Sequence, residues 1–167
     1  MMQRPPNQMA LIGTIARFFR DRRAASAVEF SIVAAPFFYL LMGITQVGIF
    51  YMAQSALDTG VSNTALTLRA NFSTGTTATL LGAASLRSGV ASGSGAMIAN
   101  DSTLSVDLRQ LTNLSTGTIP IVDSTVDYGS TTSTLVLRAQ SSVVTLAPGR
   151  GGLNTVYSSA LVRRQGT

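Results

Sequence analysis

Residues 29–58 read EFSIVAAPFFYLLMGITQVGIFYMAQSALD, and between Glu29 and Asp58 lie 28 residues without a formal charge. Within them, residues 32–53 form a 22-residue run in which only Thr45 and Gln46 are conspicuously polar. A helix crosses a bilayer with about 20 apolar residues at 1.5 Å rise each. Here the apolar character runs all round, which is more than so small a domain could cover as a core helix. The run is therefore read as a transmembrane helix bounded by Ile32 and Ala53. Tyr39 and Tyr51 are amphipathic aromatics, and Tyr51 lies where an interfacial ring is expected. Pro36 removes a donor within the span, freeing the Ile32 carbonyl and kinking or loosening the helix. Gly43 and Gly48, with Ala34 and Ala35, are small residues of the kind that let helix backbones approach closely in lipid.

The chain around this run has 167 residues, with 12 arginines, 7 acidic residues, and no Lys, His or Cys. That length suits one domain, or a small domain with an anchor. Charged residues make up 11%, against about 25% in a typical soluble domain. Without Cys or His, disulfide scaffolds, thiolate chemistry, the usual zinc sites and Ser–His–Asp triads are excluded. A serine nucleophile has no His or Lys base, so the chain is not read as an enzyme and no cofactor is expected. The net charge of +5 is concentrated at one end: residues 1–24 carry +4, and residues 25–167 carry +1. Scattered single arginines do not make a phosphate-binding face, so neither nucleic acid nor a small-molecule substrate is expected as a partner. The basic end sets topology instead. Arg17, Arg20, Arg22 and Arg23 flank the span, whereas its other side meets only Asp58 and then Arg69. The positive-inside rule keeps the N-terminus cytoplasmic and places residues 57–167 outside. A secretory signal peptide competes with this reading, with a small-x-small site at Ala53, Gln54 and Ser55. Its apolar region would be only about 7–15 residues long.

Beyond the span, Leu57, Val61, Ala65 and Leu68 recur at four, four and three residues, so the helix is predicted to continue to about residue 70. Gly60 is read as a weak point in it. Residues 71–102 are rich in Gly, Ser and Thr, with a short helix predicted across 77–86; Gly93, Ser94 and Gly95 lack the lysine of a phosphate loop. Residues 103–167 alternate as strands do, with candidates at 103–108, 119–126, 133–139, 141–146 and 155–162. Ala147, Pro148 and Gly149, followed by Gly151 and Gly152, form the turn expected to join the last two. Asp123 and Asp127 lie four apart on a predicted strand and are read as a solvated pair. The six to eight oxygens of a calcium site are not supplied by any loop spacing here, so no metal is expected. The fold class is α+β, a long N-terminal helix packed on a small antiparallel sheet.

The stretch RRAASAVEF at residues 22–30 precedes the span: two arginines, four small residues, Val28, the sole glutamate Glu29, and the aromatic Phe30. A carboxylate at the bilayer centre costs at least about 2.5–3.5 kcal/mol. One reading places Glu29 at the interface, favoured by the positive end of the helix. The other gives it an assembly role.

The run RDRRAASAVEFSIVAAPFFYLLMGITQVGIFYMAQSAL resembles the N-terminal signature of TadE-like pseudopilins from the tight-adherence (Tad) branch of type IV pilus systems. A weaker likeness recurs in LVLRAQSSVVTLAPGRGG and NTVYSSALVRR, where the family shows a strand, a Pro-Gly turn and a closing strand. The resemblance implies a pilin-like fold and a basic leader, residues 1–24, removed by a membrane prepilin peptidase between Ala24 and Ala25. Ala24 stands where the family usually has Gly. Cleavage would make Glu29 the fifth mature residue and free an α-amino group with a reference pKa of about 7.7–8.0. A carboxylate facing that ammonium, in the same or a neighbouring subunit, would set the stagger of packed helices. The resemblance thus implies a minor pilin or pseudopilin that helps initiate, cap or stabilise a Tad-type pilus. Its partners would be the membrane, the peptidase, the major pilin and other minor pilins. It would sit as a single-pass protein in the inner membrane with its C-terminal domain periplasmic or extracellular. The alternatives are an uncleaved bitopic scaffold of a secretion or adhesion complex, and an outer domain that binds a surface ligand.

Overall fold

One helix, α1 (Arg22–Ser73), accounts for 52 residues in the computed structural model, which describes residues 22–73, 82–95, 98, 102–114, 119–130, 132–146 and 154–164. Residues 1–21 of the leader, residues 77–81 of the helix predicted at 77–86 and the Pro-Gly turn lie outside the described residues. Ser and Thr are weak helix formers, and several in α1 fold back on the preceding turn. The hydroxyls of Ser31, Thr59, Thr64 and Thr67 donate to carbonyls four residues earlier at 2.8–3.0 Å. Pro36 lies inside the helix, which continues through it.

The chain divides into two compact units, Met1–Ile44 and Thr45–Thr167, the division falling within α1. In the first, Phe30, Ile32, Val33, Phe37, Phe38, Leu40 and Ile44 are all exposed. The most apolar 18-residue window has a mean hydropathy of 1.8 and none of it is buried. A soluble core helix requires burial, and among the described residues nothing covers this apolar stretch.

The second unit is built on the predicted stripe. Leu57, Val61, Ala65 and Leu68 are buried in one cluster with Leu108, Leu135, Leu137, Ala139, Val156 and Val162. The sheet has three antiparallel strands in the order β1 (Ser105–Gln110), β2 (Thr134–Ser142), β3 (Thr155–Arg163). Val106 pairs with Ala139 and Leu108 with Leu137, so the strand alternation delivers one apolar face to the cluster. β3 is an edge, and α1 guards it: Gln54 Nε2 donates to Tyr157 O at 2.7 Å, and Arg69 donates to Leu161 O. Taking up outward carbonyls in this way blunts an edge that would otherwise template a foreign strand.

A short helix, α2 (Ala83–Gly93), packs Leu86 and Val90 into the same cluster. It crosses α1 at Gly60. A Cβ there would lie 2.1 Å from Ser94 Oγ and 2.4 Å from Val90 O, so Gly60 is a point of close approach and not a weak point. The sequence shows a missing side chain, and only the second helix explains it.

Two strand expectations change. Residues 133–139 and 141–146 are not two strands: β2 runs unbroken across the first and into the second, then residues 143–146 continue without regular structure. Residues 119–126 make no ladder, only a parallel bridge from Val126 to Leu108. Its backbone still serves β1, because Leu108 N–H donates to Thr125 O at 2.9 Å and Asp127 N–H donates to Leu108 O at 2.8 Å.

Candidate functional site

The residues that carry the family resemblance lie on the first turns of α1. Ala24 and Ala25 are helical backbone positions, Glu29 is exposed, and Phe30 is 73% exposed. Ile32, within one turn of Glu29, and Pro36, about two turns on, are exposed too. Glu29 thus presents its carboxylate outward from an apolar helix. An α-helix places residues three or four apart on one face, so a group at position 25 would lie above Glu29. Gly43 and Gly48 have open space where a Cβ would project, so nothing among the described residues requires glycine at either position. Ala53 differs from the other span landmarks in being buried, within the core cluster of the second unit.

The polar side chains that sequence reading passed over are the buried ones. Gln46 is 0% exposed despite lying in the apolar run. Its Nε2 donates to Val144 O at 3.1 Å, and its Oε1 accepts from Leu146 N–H at 2.6 Å. The signal for it was present as one of two polar residues in the run, but its partner lies about a hundred residues away. Asp107 is also 0% exposed, on the sheet face opposite the core cluster. Arg138, directly across the β1–β2 ladder, donates Nε to Asp107 Oδ1 at 2.8 Å and a second N–H to Oδ2. The same guanidinium donates to Ile119 O at 2.8 Å. Arg109 Nε approaches Asp107 Oδ2 at 3.2 Å without hydrogen-bond geometry, so it contributes charge only. This fork holds the 119–121 segment against the sheet. It leaves an open groove of about 770 Å³ lined by Ile119, Pro120, Arg138, Gln140 and Tyr157.

Asp123 and Asp127, read as a solvated pair, hold backbone instead. Asp123 pairs with Arg87 at 2.9 Å and accepts Val106 N–H at 3.2 Å. Asp127 accepts Gly129 N–H at 3.0 Å and reaches Gln110 Nε2 at 3.3 Å. Gly129 has φ +52°, and a Cβ there would meet the Gln110 side chain at 2.3 Å. Among the described residues no three Asp or Glu side chains gather as metal ligands would. Tyr128, edge-on to Phe72 at 6.1 Å, has its phenol pushed above its ordinary pKa by desolvation. Nothing in this geometry places a base beside a nucleophile.

Residues 24–66 match the family model described as TadE-like protein. The match begins at the first residue of the expected cut, contains Glu29 and the apolar span, and ends within the buried stripe. No curated protein and no solved structure matches the chain.

Proposed function

We propose that the chain is a minor pilin or pseudopilin of a Tad-type pilus, made with a cytoplasmic leader and released for assembly by cleavage between Ala24 and Ala25. The observation that carries this reading is the coincidence of the TadE-like match with an uncovered apolar helix that bears an outward carboxylate near its start. Among the described residues one helix is long and apolar enough to cross a membrane, which suits a single-pass protein. In the membrane it stores the subunit, and in a filament the same face packs on neighbouring helices. The role is structural: the second unit offers an outer domain, and the helix offers lateral contact.

The N-terminus of the membrane-extracted protein tests this, measured by mass spectrometry with and without a prepilin peptidase. The expected mature chain starts at Ala25 and is lost without the peptidase. A Met1 start under both conditions would favour the uncleaved scaffold, a reading suggested by Ala24 in the position where the family usually has Gly. A start near Ala56 would mean that the span is a signal peptide.

Glu29 gives the second test. In an apolar bundle the α-amino group of Ala25 needs a counter-charge, and losing one partner of a buried pair leaves the other uncompensated. Glu29→Gln is expected to cut assembled filament at least about tenfold, the equivalent of 1.4 kcal/mol or more. Because Glu29 is exposed in the single chain, membrane level and melting temperature should not change. Wild-type filament yield from Glu29→Gln would remove the register role.

A further inference from the structure

Within the second unit, Val144 and Leu146 are exposed apolar residues in a segment hydrogen-bonded to Gln46 of α1. After β2, residues 143–146 have no regular structure, yet their polar backbone is supplied with partners. Val143 N–H donates to Asn154 O at 2.7 Å, and Gln46 takes both Val144 O and Leu146 N–H through its side-chain amide. The side chains of the same segment point the other way in character: Val144 is 72% exposed and Leu146 is 42% exposed. Among the described residues outside α1, Val144 is the most exposed large apolar side chain. Irregular backbone survives against hydrocarbon only where the protein satisfies its polar groups. A helical amide in an apolar run likewise needs a partner. One side chain meets both needs.

The depth of that amide follows from the helix rise. A crossing takes about 20 residues. Counted from Ser26 it ends at Thr45; counted from Phe30, the first residue after Glu29, it ends at Ile49. Gln46 lies one residue past the first of these ends and three residues short of the second. Two hydrogen bonds hold the backbone of residues 144 and 146 beside Gln46. Tyr51 is exposed about 7.5 Å further along at 1.5 Å per residue, within the headgroup layer that such rings favour.

We propose that Val144 and Leu146 form a membrane-interface contact, inserted at the acyl boundary and held there by the Gln46 amide. The lipid-crossing segment then ends at about Gln46, and Ala53 lies above the bilayer inside the protein core. The partner is the bilayer surface itself, and the proposal rests on the single-pass reading of α1.

The chain has no cysteine, which makes site-specific labelling clean. Val144→Cys, Phe37→Cys and Leu111→Cys variants of the full chain are each coupled to an environment-sensitive nitrobenzoxadiazole dye. They are then reconstituted at low density in phosphatidylcholine–phosphatidylglycerol vesicles. Leu111 is the control: it is exposed and apolar, but follows the end of β1 that pairs with Leu135, seven positions along β2 from Ser142. Val144 is expected to be quenched by lipids spin-labelled near the headgroup and shielded from aqueous iodide, with Phe37 quenched by deeper labels and Leu111 open to iodide. Adding Gln46→Leu is expected to return the Val144 dye to iodide. Iodide quenching at Val144 equal to that at Leu111, with Phe37 still in lipid, overturns the interface contact alone. Iodide quenching at Phe37 overturns the single-pass reading along with it. Shielding from both quenchers at Val144 would mean a protein neighbour and also overturns the proposal. Lipid quenching that persists in Gln46→Leu overturns the role given to the amide.

Discussion

Asp107→Ala is expected to destabilise the second unit, Thr45–Thr167, by about 3–5 kcal/mol, the usual cost of removing one member of a buried ion pair. The carboxylate is wholly buried, and Arg138 binds it through two N–H groups. Without it, the guanidinium keeps only the Ile119 carbonyl, and an uncompensated charge remains beside the sheet. The two arginines separate the contributions. Arg138→Ala should cost nearly as much as the aspartate, whereas Arg109→Ala should cost about 1 kcal/mol or less, because its Nε makes no hydrogen bond to the carboxylate. Combining Asp107→Ala with Arg138→Leu should recover part of the loss, since removing both charges of a buried pair is often near neutral. Native-state hydrogen exchange of β2 amides in detergent-solubilised full-length protein reads the second unit without confusion from the apolar helix. A loss below about 1 kcal/mol for Asp107→Ala would show that solvent reaches the arginines and that this fork is peripheral.

Gly60→Ala should lose about 2 kcal/mol, although alanine in a helix interior ordinarily gains about 1 kcal/mol over glycine. The new methyl group would sit 2.4 Å from the Val90 carbonyl oxygen, a backbone atom of α2 that cannot rotate away. Removing the other obstacle, Ser94 Oγ at 2.1 Å, should therefore restore little: Gly60→Ala combined with Ser94→Gly remains destabilised. Gly43→Ala and Gly48→Ala supply the contrast, because neither added Cβ has a neighbour within 4 Å. Those two should leave the single chain at least as stable as before, and an assembly defect in either would report a contact with another helix. A Gly60→Ala variant as stable as wild type, by the same exchange measurement, would show that α2 shifts freely and does not buttress α1.

The candidate site and the fold were legible to different degrees. Spacing alone identified the core face of α1, since Leu57, Val61, Ala65 and Leu68 all reach the interior. Helical periodicity is local, and burial of an amphipathic stripe follows from it directly. Period-two alternation located β1 and β3 to within two residues but misread residues 119–126 and divided the long β2. Alternation reports which side chains share a face, not whether a neighbouring strand is there to complete the ladder. The segment ending at Val126 keeps its strand-like pattern while meeting β1 through a bridge and carboxylate caps.

For the polar residues the division is sharper. Composition, the uncharged run, the basic flank and the position of Glu29 are properties of the chain itself. They were enough to indicate the long apolar helix and the family likeness, because length, hydropathy and charge act residue by residue. What Gln46, Gly60 and Asp107 do could not be read there. Gln46 meets backbone 98 and 100 residues on, Gly60 makes room for a second helix, and Asp107 is neutralised from another strand. Each of those is a pairing across distance. The free energy of a buried polar group or a close approach depends on which partner the folded chain brings to it, and tertiary structure alone supplies that partner.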